Sequence, residues 1–262
     1  MRISAVSYLN TKPFLYGFFK STLAQSIDIQ LDIPSVCAQK LLHGEVDLAL
    51  VPVAIIPELH DVHILSNYCI GAVGTVRTVC IYSQVPLEDI THLYLDYHSR
   101  TSVALVQVLL REYWKKELIF LEATTGFEDK LHDTTAGVII GDRAFEAELK
   151  YPFVYDLSEA WMALTGLPFV FAAWVSTRKL DDDFLAQFNE ALGLGISNIP
   201  ELIYVLPNTA PHVNLYEYFT HHISYDFDEA KQTALQLFLK YLHYETPLVF
   251  QQPLMKDLMS DC

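Results

Sequence analysis

The chain opens on alternating apolar and polar positions, RISAVSYL (2–9), as a half-buried strand does, and then changes period. A helix-like stretch from Pro13 to Lys20 follows, then IDIQLDI (27–33). Next come a helix from about Ser35 to His43, capped by Ser35 after Pro34, and the apolar run VDLALVPVAII (46–56). Such strand and helix alternation predicts a parallel sheet with helices on its faces. A second set repeats the pattern: VCIYS (79–83), LYLDY (93–97), a helix over about 101–115, LIFLEA (118–123), and AGVIIG (136–141) with a helix after Asp142. Within the helix of that set, Val103, Val106, Leu109, Leu110 and Tyr113 recur at helical spacing and are expected to form its buried face. TGLPFVFAAWVS (165–176) reads as a buried strand entered through a Gly and Pro turn. Beyond it only helices are expected, one led by Asp181, Asp182 and Asp183 and another over about 226–244. Two α/β sets in one chain, linked by the apolar strands near 79–83 and 169–176, predict two lobes with two crossings and a ligand cleft between them.

With 262 residues, 52% of them hydrophobic, the chain can bury one large core or two modest ones. Its longest apolar stretches, such as LPFVFAAWV (167–175), are about half the roughly 20 residues a bilayer crossing needs. The N-terminus shows no signal-peptide pattern, so a cytoplasmic location is expected. Four cysteines (Cys37, Cys69, Cys80, Cys262) lack CxxC spacing and read as reduced thiols. A net charge of −15 argues against nucleic acid and anionic membrane partners. An anionic small molecule remains compatible where its pocket is locally positive.

Four short stretches place polar residues or Gly at strand ends, where an open α/β sheet builds its site. They are SYLN (7–10), GTVRT (74–78), HSRTS (98–102) and TGLP (165–168). They make Ser7, Arg77, Ser99, Arg100, Thr101, Ser102, Thr165 and Gly166 candidate site residues. Ser99-Arg100-Thr101-Ser102 precedes a helix, so its hydroxyls, its free N–H groups and Arg100 can grip a carboxylate. Simple helix capping by Ser99 or Thr101 is the plainer alternative, and Asn10 could likewise cap the helix after it. IIGDRA (139–144) reads as a tight turn with Asp142 as cap or as a ligand-facing turn. Ten histidines, His221-His222 included, show no compact ligand spacing, so no metal is indicated. The GxSxG, Walker and GxGxxG patterns of hydrolases, NTPases and dinucleotide enzymes are missing.

Taken together, SYLNTKP (7–13), GEVDLALVPV (44–53), SRTSVALVQVLL (99–110), IGDRA and TGLPFVFAAW (165–174) closely resemble the chorismate dehydratase family of the futalosine route to menaquinone. The resemblance runs in order to about residue 178 and more loosely beyond. It implies an α/β fold of the type II periplasmic-binding-protein kind, acting as a cytoplasmic lyase. The first lobe would comprise 1–83 with 177–262, and the second 84–176. The implied reaction is loss of water from chorismate to give 3-[(1-carboxyvinyl)oxy]benzoate, with no cofactor. The resemblance carries Asn10 as the motif asparagine, and Thr78 where relatives have serine. Threonine keeps the hydroxyl but adds a methyl group and stiffens the side chain. No motif residue is a strong base, so the substrate's own enolpyruvyl carboxylate is expected to take the ring proton while Asn10 and Thr78 orient it. Two other readings stay open: a same-fold enzyme forming 1,4-dihydroxy-6-naphthoate, and a non-catalytic receptor for a small anion.

Overall fold

A computed structural model describes residues 1–207 and 210–251; Cys262 therefore lies outside the described residues. The elements in chain order are β1 (Arg2–Val6), α1 (Lys12–Lys20), β2 (Asp28–Asp32), α2 (Pro34–Leu42), β3 (Leu48–Pro52), β4 (His63–Ala72), β5 (Val79–Ser83) and β6 (His92–Leu95). There follow α3 (Arg100–Glu112), β7 (Ile119–Glu122), β8 (Thr135–Ile140), α4 (Arg143–Ala147), β9 (Phe153–Asp156), α5 (Leu157–Thr165) and β10 (Phe169–Ser176). The chain continues through α6 (Asp182–Ser197), α7 (Ile199–Val205), α8 (Leu215–Glu217), β11 (Ser224–Asp226), α9 (Glu229–Tyr241) and β12 (Val249–Phe250).

Two sheets form. The first runs β11-β4-β10-β3-β1-β2, with β12 also paired to β4; the second runs β7-β6-β8-β5-β9. As the βαβ pattern predicts, β1 pairs in parallel with β2 and β3, and β6 with β7 and β8. The long strand β10 enters the first sheet antiparallel between β3 and β4. All of its residues are buried, as are those of β3, which explains their unbroken apolar sequences. Trp174 of β10 sits among Phe14, Phe18 and Phe188, with ring centres 5.9, 5.9 and 5.1 Å away. On that face α1 and α6 meet backbone to backbone. A Cβ placed on Gly17 would lie 1.9 Å from the Ala191 carbonyl oxygen, and one on Gly195 1.9 Å from that of Pro13.

Several expectations are corrected. Strand β5 belongs to the second sheet and β10 to the first, so sheet membership puts 79–83 and 169–176 on the opposite sides from the division at 83/84 and 176/177. The crossings are instead the short segments that precede these strands. Strand β4 was hidden by Ser66 and Asn67, which interrupt its apolar run. Asn189 of α6 accounts for both, its side-chain oxygen accepting from the Ser66 hydroxyl at 3.0 Å and the Asn67 amide at 2.8 Å. The region after β10 is not helical throughout, because β11 and β12 join the first sheet through β4. Helix α2 begins at Pro34 with Ile33 as its N-cap residue, so Ser35 does not cap it. In α3 the buried face is Leu105, Val106, Val108, Leu109 and Leu110; Tyr113 is exposed and Val103 only partly covered.

Candidate functional site

A cleft lies where the two sheets face each other, and the ends of several strands and helices build it. From the first sheet come Val6, Tyr8 and Asn10 after β1, Pro34 at the start of α2, Pro52 at the end of β3, and Ile70, Phe171 and Ala172. The second contributes Thr78 and Val79, Ile140 and Gly141 after β8, and Ser99 and Ser102 at the start of α3, with Val76 lining the crossing. The cleft is narrow, a cavity of about 50 Å³, smaller than the roughly 300–1,000 Å³ of a typical small-molecule site, so its walls must part to admit a ligand.

Four of the sequence-derived candidates meet here: Asn10, Thr78, Ser99 and Ser102. Asn10 caps no helix, since Thr11 holds the N-cap position of α1 without a side-chain cap. Its side-chain oxygen accepts from the Thr11 hydroxyl at 3.3 Å, and its backbone carbonyl accepts from the Tyr225 hydroxyl at 2.9 Å. Among the described residues nothing accepts from the Asn10 side-chain nitrogen, so both N–H bonds are free for a ligand. Thr78 is buried, with its hydroxyl 3.1 Å from that of Tyr218. Ser99 does cap α3, accepting from the Ser102 amide and from the Ser102 hydroxyl, each at 3.3 Å, yet both residues also line the cleft. The capping and binding readings thus coexist at this helix start, where the dipole favours an anion.

The other candidates point elsewhere. Arg77 is held by Glu148 through contacts of 2.6 and 2.9 Å. Arg100 pairs at the surface with Glu58, 2.7 Å away. The buried Thr101 hydroxyl accepts from the Ala54 amide. Thr165 returns its hydroxyl to the Trp161 carbonyl, and Gly166 ends α5 in a left-handed conformation. The Ser7 amide donates to the Asp32 carbonyl at the end of β2. The expectation of a locally positive pocket is therefore corrected: among the described residues no Lys, Arg, His, Asp or Glu lines the cleft. Arg77, Arg100 and Arg143 are paired with carboxylates, and the lining residues are amide, hydroxyl and apolar.

Tyr8, His98, Asp142, Tyr218 and Tyr225 were not among the candidate site residues, although the first three lie in or beside the SYLN, HSRTS and IGDRA stretches. The Tyr8 ring packs against Gly141, where a Cβ would come within 2.8 Å of it, and its hydroxyl reaches His98 Nδ1 at 2.5 Å. Asp142 does not cap its own helix; its carboxylate accepts from the Leu9 amide at 3.0 and 3.2 Å, tying the SYLN turn to the second sheet. Burial pushes the Asp142 carboxyl and the Tyr8 phenol up, and holds the His98 imidazole below its usual range. Beside them Arg143 pairs with buried Asp96 and with Glu128. The IGDRA motif was the one available signal for Asp142. Tyr218 and Tyr225 carried none, being two of fifteen tyrosines and distant in sequence from the residues they touch.

The backbone is similar to that of a protein from Archaeoglobus fulgidus solved by structural genomics, with a TM-score of 0.72, 14% identity, and coverage of 92% of this chain and 96% of that one. It also resembles the periplasmic aliphatic sulphonate binding protein of Escherichia coli (TM-score 0.58, 15% identity, 95% and 94% covered). The fold is thus periplasmic-binding-protein-like. In sequence the chain is 27% identical over 239 residues to the chorismate dehydratase of Thermus thermophilus, with 80% of this chain and 84% of that protein covered. The sequence model described as menaquinone biosynthesis matches residues 1–244. A match over nearly the whole length, with the SYLN turn and the start of α3 meeting in one cleft, shows that the chain belongs to the menaquinone biosynthesis family.

Proposed function

We propose that this protein is a hydro-lyase converting chorismate to 3-[(1-carboxyvinyl)oxy]benzoate. The observation that carries the reading is the presence of Asn10 and Thr78 in one narrow, uncharged cleft, in a chain related to a chorismate dehydratase. The reaction removes a ring proton and a ring hydroxyl as water and leaves an aromatic ring, so it runs downhill. No side chain lining the cleft is a strong base. The substrate's enolpyruvyl carboxylate takes the ring proton, and the departing hydroxyl leaves with a proton as water. Asn10 and Thr78 donate hydrogen bonds that hold the substrate in reacting geometry. The other carboxylate is held at the start of α3 by Ser99, Ser102 and the amides of Arg100 and Thr101, for which the described residues offer no acceptor. The side chains of Arg77, Thr101 and Thr165, together with Gly166, support the frame rather than the ligand.

Incubation of the purified protein with chorismate should yield a product lighter by one water, with the absorbance of a substituted benzoate. Chorismate returned unchanged would refute the reaction. Tight binding without turnover would make the protein a receptor instead.

A further inference from the structure

We infer that Tyr218, which touches Thr78 but does not itself line the cleft, is a positioning residue that turns Thr78 into a hydrogen-bond donor to the substrate. The inference rests on the reaction proposed above. It follows from counting donors and acceptors. The Tyr218 side chain is fully enclosed, and among the described residues its hydroxyl has one partner, the Thr78 hydroxyl at 3.1 Å. A buried phenol must place its single proton on an acceptor, since an unmade bond leaves the cost of its desolvation uncompensated. Tyr218 therefore donates and Thr78 accepts.

That choice fixes what Thr78 can do. Its own proton cannot return to Tyr218, and the other protein acceptor within reach is the Val76 carbonyl at 3.4 Å, long for a hydroxyl donor. The proton is thus weakly held and free to turn to a ligand oxygen in the cleft that Thr78 lines. An accepted hydrogen bond also polarises the Thr78 hydroxyl and makes it a stronger donor.

The fold spends an unusual local structure on this contact. Tyr218 opens a π-helical turn over Tyr218–His222, a form often found at functional sites. Its ring is wedged edge-on against Phe145, with centroids 5.1 Å apart, so the hydroxyl has little freedom. The same stretch supplies Tyr225, whose hydroxyl donates to the backbone of Asn10. Thr78 and Asn10, 68 positions apart in sequence, are thereby each held by a tyrosine from one short segment.

The test is a double-mutant cycle on chorismate turnover, using wild type, Tyr218→Phe, Thr78→Val and the double variant. Tyr218→Phe should lower kcat about tenfold or more and leave KM within about twofold. In the Thr78→Val background the same change should have no further effect on kcat. In a Thr78→Ser background, which keeps the hydroxyl, Tyr218→Phe should still lower kcat about tenfold or more. An unchanged kcat in Tyr218→Phe, or a loss of equal factor with and without the Thr78 hydroxyl, would overturn the role and leave Tyr218 as packing. Should Tyr218→Phe not fold, 3-fluorotyrosine inserted at 218 keeps the ring and strengthens the donor. It should then raise kcat with Thr78 present and not with Thr78→Val, and no change in either background would overturn the role. A wild-type protein that does not turn chorismate over refutes the reaction itself and removes this role with it, a result distinct from an active enzyme without coupling.

Discussion

Replacing Asn10 by aspartate separates a ligand-binding amide from a structural one. The substitution preserves shape, and the structural contacts of Asn10 survive it. The Thr11 hydroxyl still finds a side-chain oxygen, and Tyr225 donates to the backbone carbonyl, which does not change. Asn10→Asp should therefore stay folded, with a Tm within a few degrees of wild type. What changes is the cleft, where two N–H donors disappear and a negative charge faces a dianion with no lining cation to offset it. For two charges about 5 Å apart at an effective dielectric constant of about 20, the repulsion is about 3 kcal/mol. That corresponds to a loss of roughly 100-fold or more in kcat/KM. The assay is steady-state dehydration of chorismate followed across pH, because lowering the pH should neutralise the introduced carboxyl and recover part of the activity. Turnover close to wild type would remove Asn10 from the site. A large fall in Tm would show that the amide holds the SYLN turn rather than the substrate.

Arg100 looked in sequence like a carboxylate clamp, but it pairs with Glu58 through side chains each about half exposed, so Arg100→Ala should leave KM within about twofold. A tenfold rise would show that Arg100 swings into the cleft when ligand arrives. Burial lowers the His98 pKa in the folded protein, so the unfolded chain binds the extra proton as pH falls through about 6.5. Wild type should then lose stability below that pH and level off above it, and His98→Gln should flatten this part of the Tm profile; parallel profiles would remove His98 from the transition. Gly17→Ala or Gly195→Ala should lower the urea midpoint by an amount equivalent to about 1–3 kcal/mol, because α1 and α6 must part to admit a Cβ. An unchanged midpoint would contradict the close backbone packing.

Much of the scaffold was legible because burial imposes periodicity. β3 and β10 announced themselves as unbroken apolar runs, and β1, β2, α1 and α2 by alternation and by Pro34. Strand β4 was not legible, since Ser66 and Asn67 look like a loop until Asn189, more than 120 positions away, arrives to satisfy them. The site divides in the same way. Ser99 and Ser102 could be found because strand ends and helix starts are places a sequence marks, and Asn10 and Thr78 because the chain resembles a known family there. The arginines misled, because a cation next to a polar turn says nothing of its carboxylate partner, Glu148 for Arg77 and Glu58 for Arg100, 71 and 42 positions away. Tyr218 and Tyr225 pair across greater distances still, 140 and 215 positions, which no local pattern records.

An uncharged cleft facing a dianion has a chemical consequence. A carboxylate among Ile70, Val76, Ile140 and Phe171 loses part of its hydration, which weakens it as an ion and strengthens it as a base. A guanidinium in the same place would hold the substrate more tightly but would lower the basicity of the group that must take the ring proton. Neutral donors such as the Asn10 amide, the Thr78 hydroxyl and the start of α3 can fix the geometry at a smaller cost in basicity. A protein carboxylate in the cleft would repel the substrate and compete for the proton, and the nearby acids are turned away from it. Asp142 accepts the Leu9 amide, and Asp96 accepts the His98 and Ile140 amides and binds Arg143. A receptor selected for affinity would gain from a cation at this point. The neutral lining therefore favours an enzyme whose substrate brings its own base, and the same logic makes the direction of one hydroxyl proton, that of Thr78, matter to the rate.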